Sequence, residues 1–246
     1  VKVLVLGGTG EARELAAALA GRTDVEVVSS LAGRVRDPRM PVGRARVGGF
    51  GGVEGLVEWL RAERVDAVVD ATHPFAATMT AAAVTACRST NVPLLVLRRP
   101  GWTAEPGDHW HRVPTLAAAA EVLPRLGERV FLTTGRTGLA AFAGLQRHWF
   151  LVRAVDPPEP PVPARMRLVL DRGPFTLDGE RALFAEHRIQ VLVTKDSGGP
   201  MTAAKLVVAR ERGIPVVLQD RPPPPNAETV PHVPDALSWL DTQASR

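Results

Sequence analysis

The chain contains no tyrosine and a single cysteine in 246 residues, and each shortage removes a class of chemistry. Without tyrosine there is no Tyr-x-x-x-Lys proton relay, the device of short-chain dehydrogenases. With Cys87 alone there is no internal disulfide and no metal site built from several thiolates. Its setting, Ala81-Ala82-Ala83-Val84-Thr85-Ala86-Cys87, suits a buried helical thiol rather than a nucleophile. No apolar run approaches the roughly 18 residues of a membrane span. The opening apolar run is too short for a signal segment and leads straight into glycines, so no membrane partner and a cytoplasmic location are expected. Dense basic runs and aromatic-basic repeats are also missing, which argues against a nucleic-acid partner. Lysine is scarce too: Lys2, Lys195 and Lys205 are the only ones, and arginine supplies the rest of the 30 cationic side chains in a chain of net charge +4. Two explanations stand side by side, a GC-rich coding bias and recognition of carboxylates or phosphates by the planar guanidinium fork.

What is present begins with Val1-Lys2-Val3-Leu4-Val5-Leu6 running into Gly7-Gly8-Thr9-Gly10-Glu11. A continuous apolar run suits a parallel strand covered on both faces. A glycine turn into a helix then offers unpaired backbone N–H groups and a positive dipole end to an anion. The match to G-x-G-x-x-G is incomplete. Read from Gly8 the third glycine is replaced by Arg13; read from Gly7 the second becomes Thr9 and the third Ala12. A nucleotide-phosphate seat and a plain strand-to-helix loop both fit. The next strand, Val25-Glu26-Val27-Val28, ends in Ser29-Ser30-Leu31-Ala32-Gly33-Arg34. An NAD-preferring fold places an acid there for the ribose 2′-hydroxyl, and Glu26 lies too early. Ser29, Ser30 and Arg34 would instead accept a 2′-phosphate, the arginine by a charge-assisted fork, so NADPH is favoured over NADH. The missing acid also argues against a methyltransferase, which would need it for the ribose of S-adenosylmethionine.

Apolar strand-like runs alternate with Ala/Leu-rich stretches nearly to the end, the pattern of an α/β protein. Ten strands are expected, at residues 1–6, 25–29, 44–47, 67–70, 94–97, 130–133, 149–153, 167–170, 191–194 and 215–218. Helices are expected at 11–20, 52–62, 75–89, 115–123, 138–143, 178–187, 200–212 and 234–239. Ten strands are many for one open sheet, and residues 99–114 are rich in Pro, Gly and Trp, the composition of a junction. The expected architecture is therefore two Rossmann-like domains, 1–98 and 99–246, with mainly parallel sheets flanked by helices and a ligand crevice between them. The proline clusters 157–163 and 222–225 read as surface connections or a tail.

In such folds ligands bind outside the carboxyl ends of the strands, and several strand ends here carry chemistry. Val47-Gly48-Gly49-Phe50-Gly51-Gly52 is either a second close backbone approach to a nucleotide or a flexible loop. Asp70-Ala71-Thr72-His73-Pro74-Phe75-Ala76 groups acid, hydroxyl and imidazole before a proline expected to open a helix. Helix capping by Asp or Thr would explain one of those polar residues; His73 could bind a carboxylate or exchange a proton near neutral pH, and no metal site is indicated. Thr133-Thr134-Gly135-Arg136-Thr137-Gly138 repeats the strand, glycine, helix order with an arginine, a further anion seat. Val193-Thr194-Lys195-Asp196-Ser197-Gly198-Gly199-Pro200 places one of the few lysines beside an acid, which is either a surface ion pair or a functional cation.

Taken in order, these segments resemble the precorrin-6A reductases, over nearly the whole length; Asp70–Ala76 and Thr194–Gly199 are the specific stretches. The resemblance implies an NADPH-dependent oxidoreductase of cobalamin biosynthesis, reducing one double bond of the precorrin-6A macrocycle to give precorrin-6B. It implies a cofactor-binding N-terminal half and a tetrapyrrole held between the halves. Gly7, Gly8, Thr9, Gly10, Glu11, Ser29, Ser30, Arg34, Gly51, Asp70, Ala71 and Thr72 are then the expected cofactor residues. His73, Pro74, Phe75, Thr134, Gly135, Arg136, Lys195, Asp196 and Ser197 would meet the substrate, with Arg98 or Arg99 as further carboxylate partners. Lys195 is the first candidate for the catalytic cation or proton donor and His73 the second, because hydride addition puts negative charge into the macrocycle. A polycarboxylate substrate would use the arginines. A non-catalytic NADP(H) sensor and a cobalt-precorrin-6A reductase are the alternatives, and a monomer or small homo-oligomer is expected.

Overall fold

A computed structural model describes residues 1–33 and 36–244. The chain opens with β1 (Lys2–Leu6), α1 (Gly10–Leu19), β2 (Glu26–Leu31), β3 (Arg44–Val47), α2 (Gly52–Ala62), β4 (Ala67–Asp70), α3 (Ala77–Thr90) and β5 (Leu94–Leu97). It continues through β6 (Trp110–Val113), α4 (Leu116–Val122), β7 (Arg129–Leu132), β8 (Trp149–Ala154), β9 (Met166–Leu170), α5 (Leu177–Glu186), β10 (Val191–Lys195), α6 (Ala204–Glu211) and β11 (Val216–Gln219). It ends with β12 (Glu228–Val230) and α7 (Val233–Ala244).

Two compact units result. Residues 1–100 and the returning segment from Pro222 form the first, and Gly101–Arg221 the second. Each holds a six-stranded sheet, ordered β12-β5-β4-β1-β2-β3 and β6-β11-β10-β7-β8-β9, and every pairing is parallel. Both follow the doubly wound order 3-2-1-4-5-6. In each, the sixth place is filled from elsewhere along the chain: β12 comes after the second unit, and β6 precedes the rest of its own sheet.

The cores follow from the sequence. Strands β1 and β4 are apolar on both faces because helices cover both. In the first unit Val3, Val5 and Val69 pack with Leu15 of α1 and Ala236 and Leu240 of α7. The opposite face joins Leu4, Leu6 and Val68 to Leu56 of α2 and Ala83 and Cys87 of α3. Cys87 is buried, and burial chiefly, with the Asp70 charge, pushes its thiol up to about 12, so it holds no thiolate at neutral pH. In the second unit, α4 and a short 3₁₀ turn (Leu139–Phe142) cover one face, and α5 and α6 cover the other.

Several expectations change, beginning with the strands: ten are expected and the described residues form twelve, with β6 and β12 added at the sheet edges. The second domain was expected to run to the end of the chain, whereas β12 pairs with β5 and α7 joins the first core. The helix expected at 138–143 is only that 3₁₀ turn, entered through Gly138 at φ +86°. Helix α3 starts at Ala77 rather than 75, because Pro74 and Phe75 form a turn closed by Ala76 N–H donating to the His73 carbonyl at 2.7 Å. Helix α6 starts at Ala204 rather than 200, after Gly198 and Gly199, both at positive φ (+66° and +74°).

Candidate active site

A doubly wound sheet places its ligand crevice where neighbouring strands send their connections to opposite sides. In the first unit that point lies between β1 and β4, and both expected motifs fall there. Thr9 N-caps α1, accepting from Ala12 N–H at 3.1 Å, while its hydroxyl donates to the Ala71 carbonyl at 2.7 Å. One side chain therefore sets the helix entry and ties it to the end of β4, and the Thr9 hydroxyl is spent within the fold. Gly8 has φ +112° and open space where a Cβ would lie. The turn thus presents bare backbone ahead of the α1 N-terminus, a cradle that fits a dinucleotide pyrophosphate.

Asp70 is buried and fully engaged: Oδ1 accepts from Thr72 N–H (3.0 Å) and its hydroxyl (2.7 Å), and Oδ2 from the Thr80 hydroxyl (2.6 Å). It shapes the strand exit, where the Ala71 N–H donates to the Leu6 carbonyl at 2.9 Å and the Thr72 N–H is held by Asp70. His73 accepts from Phe75 N–H at Nδ1 (3.2 Å), so a neutral ring carries its proton on Nε2. Glu11 pairs with Arg99 at 2.8 Å on the first turn of α1. Arg98 donates to the Pro222 carbonyl at 2.6 Å and the Pro223 carbonyl at 3.3 Å, holding the returning chain. Arg98 and Arg99 thus have partners within the first unit.

At the end of β2 the two serines separate. The Ser29 hydroxyl is buried with no hydrogen-bond partner. Ser30 accepts from Arg46 Nη1 at 2.8 Å and sits level with the turn, since Gly7 N–H donates to its carbonyl at 2.9 Å. Arg34 lies outside the described residues. Gly51 N-caps α2 at φ +83° without a side-chain cap.

The second unit repeats the arrangement between β7 and β10. Lys195 ends β10, half-buried, and burial lowers its pKa. The register pairs Lys195 with Gln219 on β11, and Leu132 with Val193, which sets Thr134 level with Lys195 on the other side. The Thr134 hydroxyl and Gln219 Oε1 are both buried and without a hydrogen-bond partner. Gly135, at φ +82°, has open space around it, and Arg136 follows half-buried. These groups together form a polar row with a cation at its centre, on the face of the sheet that α4 covers.

Asp196 has a different environment. Its carboxylate is buried, accepting from Trp102 N–H (2.9 Å) and from Arg112 Nη2 (2.8 Å). Arg221 donates to the carbonyls of Asp196 (2.7 Å) and Ser197 (3.0 Å), and Trp102 Nε1 to that of Gly199 (2.9 Å). Asp196 and Ser197 are thereby anchors of the loop that carries Lys195.

The structure brings the glycine turn together with the end of β4 through the Thr9–Ala71 bond, and the β7–β10 register sets Thr134 level with Lys195, each within one unit. Arg46, Trp102, Arg112, Gln219 and Arg221 also belong to these sites, although none of the motifs contains them. Arg46 has a visible signal, an arginine one residue before the end of a strand that runs into four glycines; the others are legible only once β11 is known to lie beside β10 and β6 beside β11. Among the described residues no cluster of His, Cys, Asp and Glu could hold a metal ion, and no helix is long and apolar enough to cross a membrane.

Comparison with known proteins agrees along the whole chain. The family model "Precorrin-6x reductase CbiJ/CobK" matches residues 2–241. A precorrin-6A reductase of Rhodococcus erythropolis is 59% identical, with 100% of this chain and 99% of the relative covered. One from Mycobacterium tuberculosis is 51% identical, covering 100% and 99%. A solved structure described as CobK precorrin-6A reductase superposes with a TM-score of 0.93 at 45% identity, covering 99% of this chain and 97% of the other.

Proposed function

Because the chain belongs to the precorrin-6x reductase CbiJ/CobK family, we propose that it is the enzyme of cobalamin biosynthesis that reduces one double bond of the precorrin-6A macrocycle, giving precorrin-6B at the expense of NADPH. The observation that carries the reading is the coincidence of the glycine turn and Lys195 with the switch points of the two sheets. NADPH, when bound, supplies the hydride. The protein's part is to bind, orient and manage charge. Bare backbone at Gly8–Gly10 and the α1 N-terminus would take the pyrophosphate, with Gly7, Ala71 and Thr72 beside it. Thr134, Gly135 and Arg136 would hold the macrocycle's carboxylates, the arginine as a fork.

Hydride addition at one carbon leaves an electron pair on the conjugated system, and a proton must arrive at another atom to complete the reduction. Lys195 Nζ is the group for that task. Its burial makes the ammonium a readier donor than a lysine in water, and in a poorly solvated site its charge stabilises the developing anion more strongly. His73, with its proton on Nε2, is the second candidate. A non-catalytic NADP(H) sensor would have no use for the row of Thr134, Lys195 and Gln219.

The test is an anaerobic titration with NADPH and with NADH, followed by precorrin-6A, while nicotinamide and tetrapyrrole absorbance are recorded together. Stoichiometric NADPH oxidation with a shifted macrocycle spectrum is expected. NADPH binding without turnover, on either the metal-free or the cobalt-bearing macrocycle, would overturn the enzymatic reading.

A further inference from the structure

Most arginines with a described partner meet an acid: Arg22, Arg44, Arg99, Arg112, Arg153, Arg181 and Arg210 all form ion pairs. Arg46 does not. Among the described residues its guanidinium donates to the Ser30 hydroxyl (2.8 Å) and to the carbonyls of Gly48 and Gly49 (3.0 Å each), all neutral. It stacks on Phe50, with its central carbon 3.9 Å from the ring centroid. Partial burial lowers its pKa, and no neighbouring acid counters the effect. The side chain is therefore a partly desolvated cation without a counter-charge. Of the five N–H groups of a guanidinium, the three bonds above leave two for something else.

Its position says what that is. Arg46 is in register with Ser30, and Ser30 is level with Gly7 of the phosphate turn. Turn and guanidinium lie along one edge of one sheet, two strand spacings apart, about 10 Å. That is about the reach of a ribose with its phosphates. The arginine is also held in place by its surroundings. The Phe50 backbone comes so close to α2 that a Cβ on Gly55 would lie 1.7 Å from the Phe50 carbonyl oxygen, so glycine at 55 is what lets the stacking ring settle.

We infer that Arg46 recognises the 2′-phosphate of the dinucleotide and sets the preference for NADPH over NADH. The inference rests on the nicotinamide-nucleotide reading above and adds a residue to it. A guanidinium fork fits a phosphate dianion, and Ser30 offers a hydroxyl beside it. An acid-free arginine is what such a group needs, because a resident carboxylate would compete with it.

The test measures binding of NADPH, NADH, adenosine 2′,5′-bisphosphate and ADP to the full chain, for the wild type, Arg46→Gln and Arg46→Lys. Thermal melting of each variant is recorded alongside. Arg46→Gln is expected to lose about ten- to hundredfold affinity for NADPH and for the bisphosphate, the size of one charge-assisted contact, while NADH and ADP shift by less than about twofold. Arg46→Lys, which keeps the charge and loses the fork, should lose less on the same two ligands. Equal weakening of NADPH and NADH in both variants would assign Arg46 a structural role and overturn the inference, as would unchanged binding. Failure of the cofactor reading looks different: the wild type itself would then bind NADPH no better than NADH.

Discussion

Lys195 and Asp196 are adjacent, oppositely charged and divided in role. Lys195 lies half-buried at a switch point with its pKa lowered by burial, while Asp196 is consumed by Trp102 and Arg112. Lys195→Ala should therefore lower kcat by about a hundredfold or more and leave the NADPH Kd within about twofold, read by pre-steady-state turnover and equilibrium titration. The alkaline limb of kcat in the wild type should fall below the ordinary lysine range and vanish in the variant. Asp196→Ala should behave as a folding lesion, costing about 1–3 kcal/mol in denaturant unfolding, because it leaves the Trp102 N–H and the Arg112 guanidinium without their buried carboxylate acceptor. A variant as stable as the wild type with kcat lost would reverse that assignment. The sequence made both residues visible through a rare lysine after an apolar strand, but it could not separate them. The partners that single out Asp196 come from residues 102 and 112, 94 and 84 positions away.

At the level of elements, the central strands were legible and the edges were not. Strands β1, β4, β7 and β10 read as continuous apolar runs because both faces are covered. Strands β6 (Trp-His-Arg-Val) and β12 (Glu-Thr-Val) carry polar residues that an edge position tolerates, so neither stood out. The glycine-rich segment 48–52 was equally ambiguous, since only the fold shows that Phe50 leans on α2. Gly55 tests that contact. In a free helix Gly→Ala stabilises by about 1 kcal/mol; here the added Cβ must displace the Phe50 backbone. Gly55→Ala should accordingly destabilise the chain by about 1–3 kcal/mol and weaken NADPH binding with it. A variant that melts higher than the wild type would refute the packing argument.

At the scale of the whole molecule, a buried lysine in the second unit bears on stability. Lys205 on α6 is buried, with Nζ 5.3 Å from the Trp102 ring centroid, near the buried Arg153–Glu180 ion pair. Burial above all, with the Arg153 charge adding and Glu180 opposing, depresses its pKa to about 7. Above that pH the native chain has released a proton that the unfolded chain keeps up to the ordinary lysine range, so stability rises with pH through this window. Below about pH 7 both states hold the proton and the full cost of burying the charge remains. Guanidinium unfolding should show a gain of about 2 kcal/mol between pH 7 and pH 9 that disappears in Lys205→Met. Survival of the slope in that variant would exclude Lys205 as its source.

The return of the chain to its first sheet bears on how the molecule is made. A ribosome delivers β1 to β5 first, yet the core they share is closed by Val233, Ala236 and Leu240, synthesised after the whole of the other unit. The second unit is one unbroken stretch, 101–221, and is complete as soon as it emerges. The first must wait with the edge of β5 unpaired and the ground of α7 bare, the kind of surface on which nascent chains aggregate. Order of translation and order of completion are thus reversed, and the unit that carries the glycine turn is the one that needs shielding until the last strand arrives.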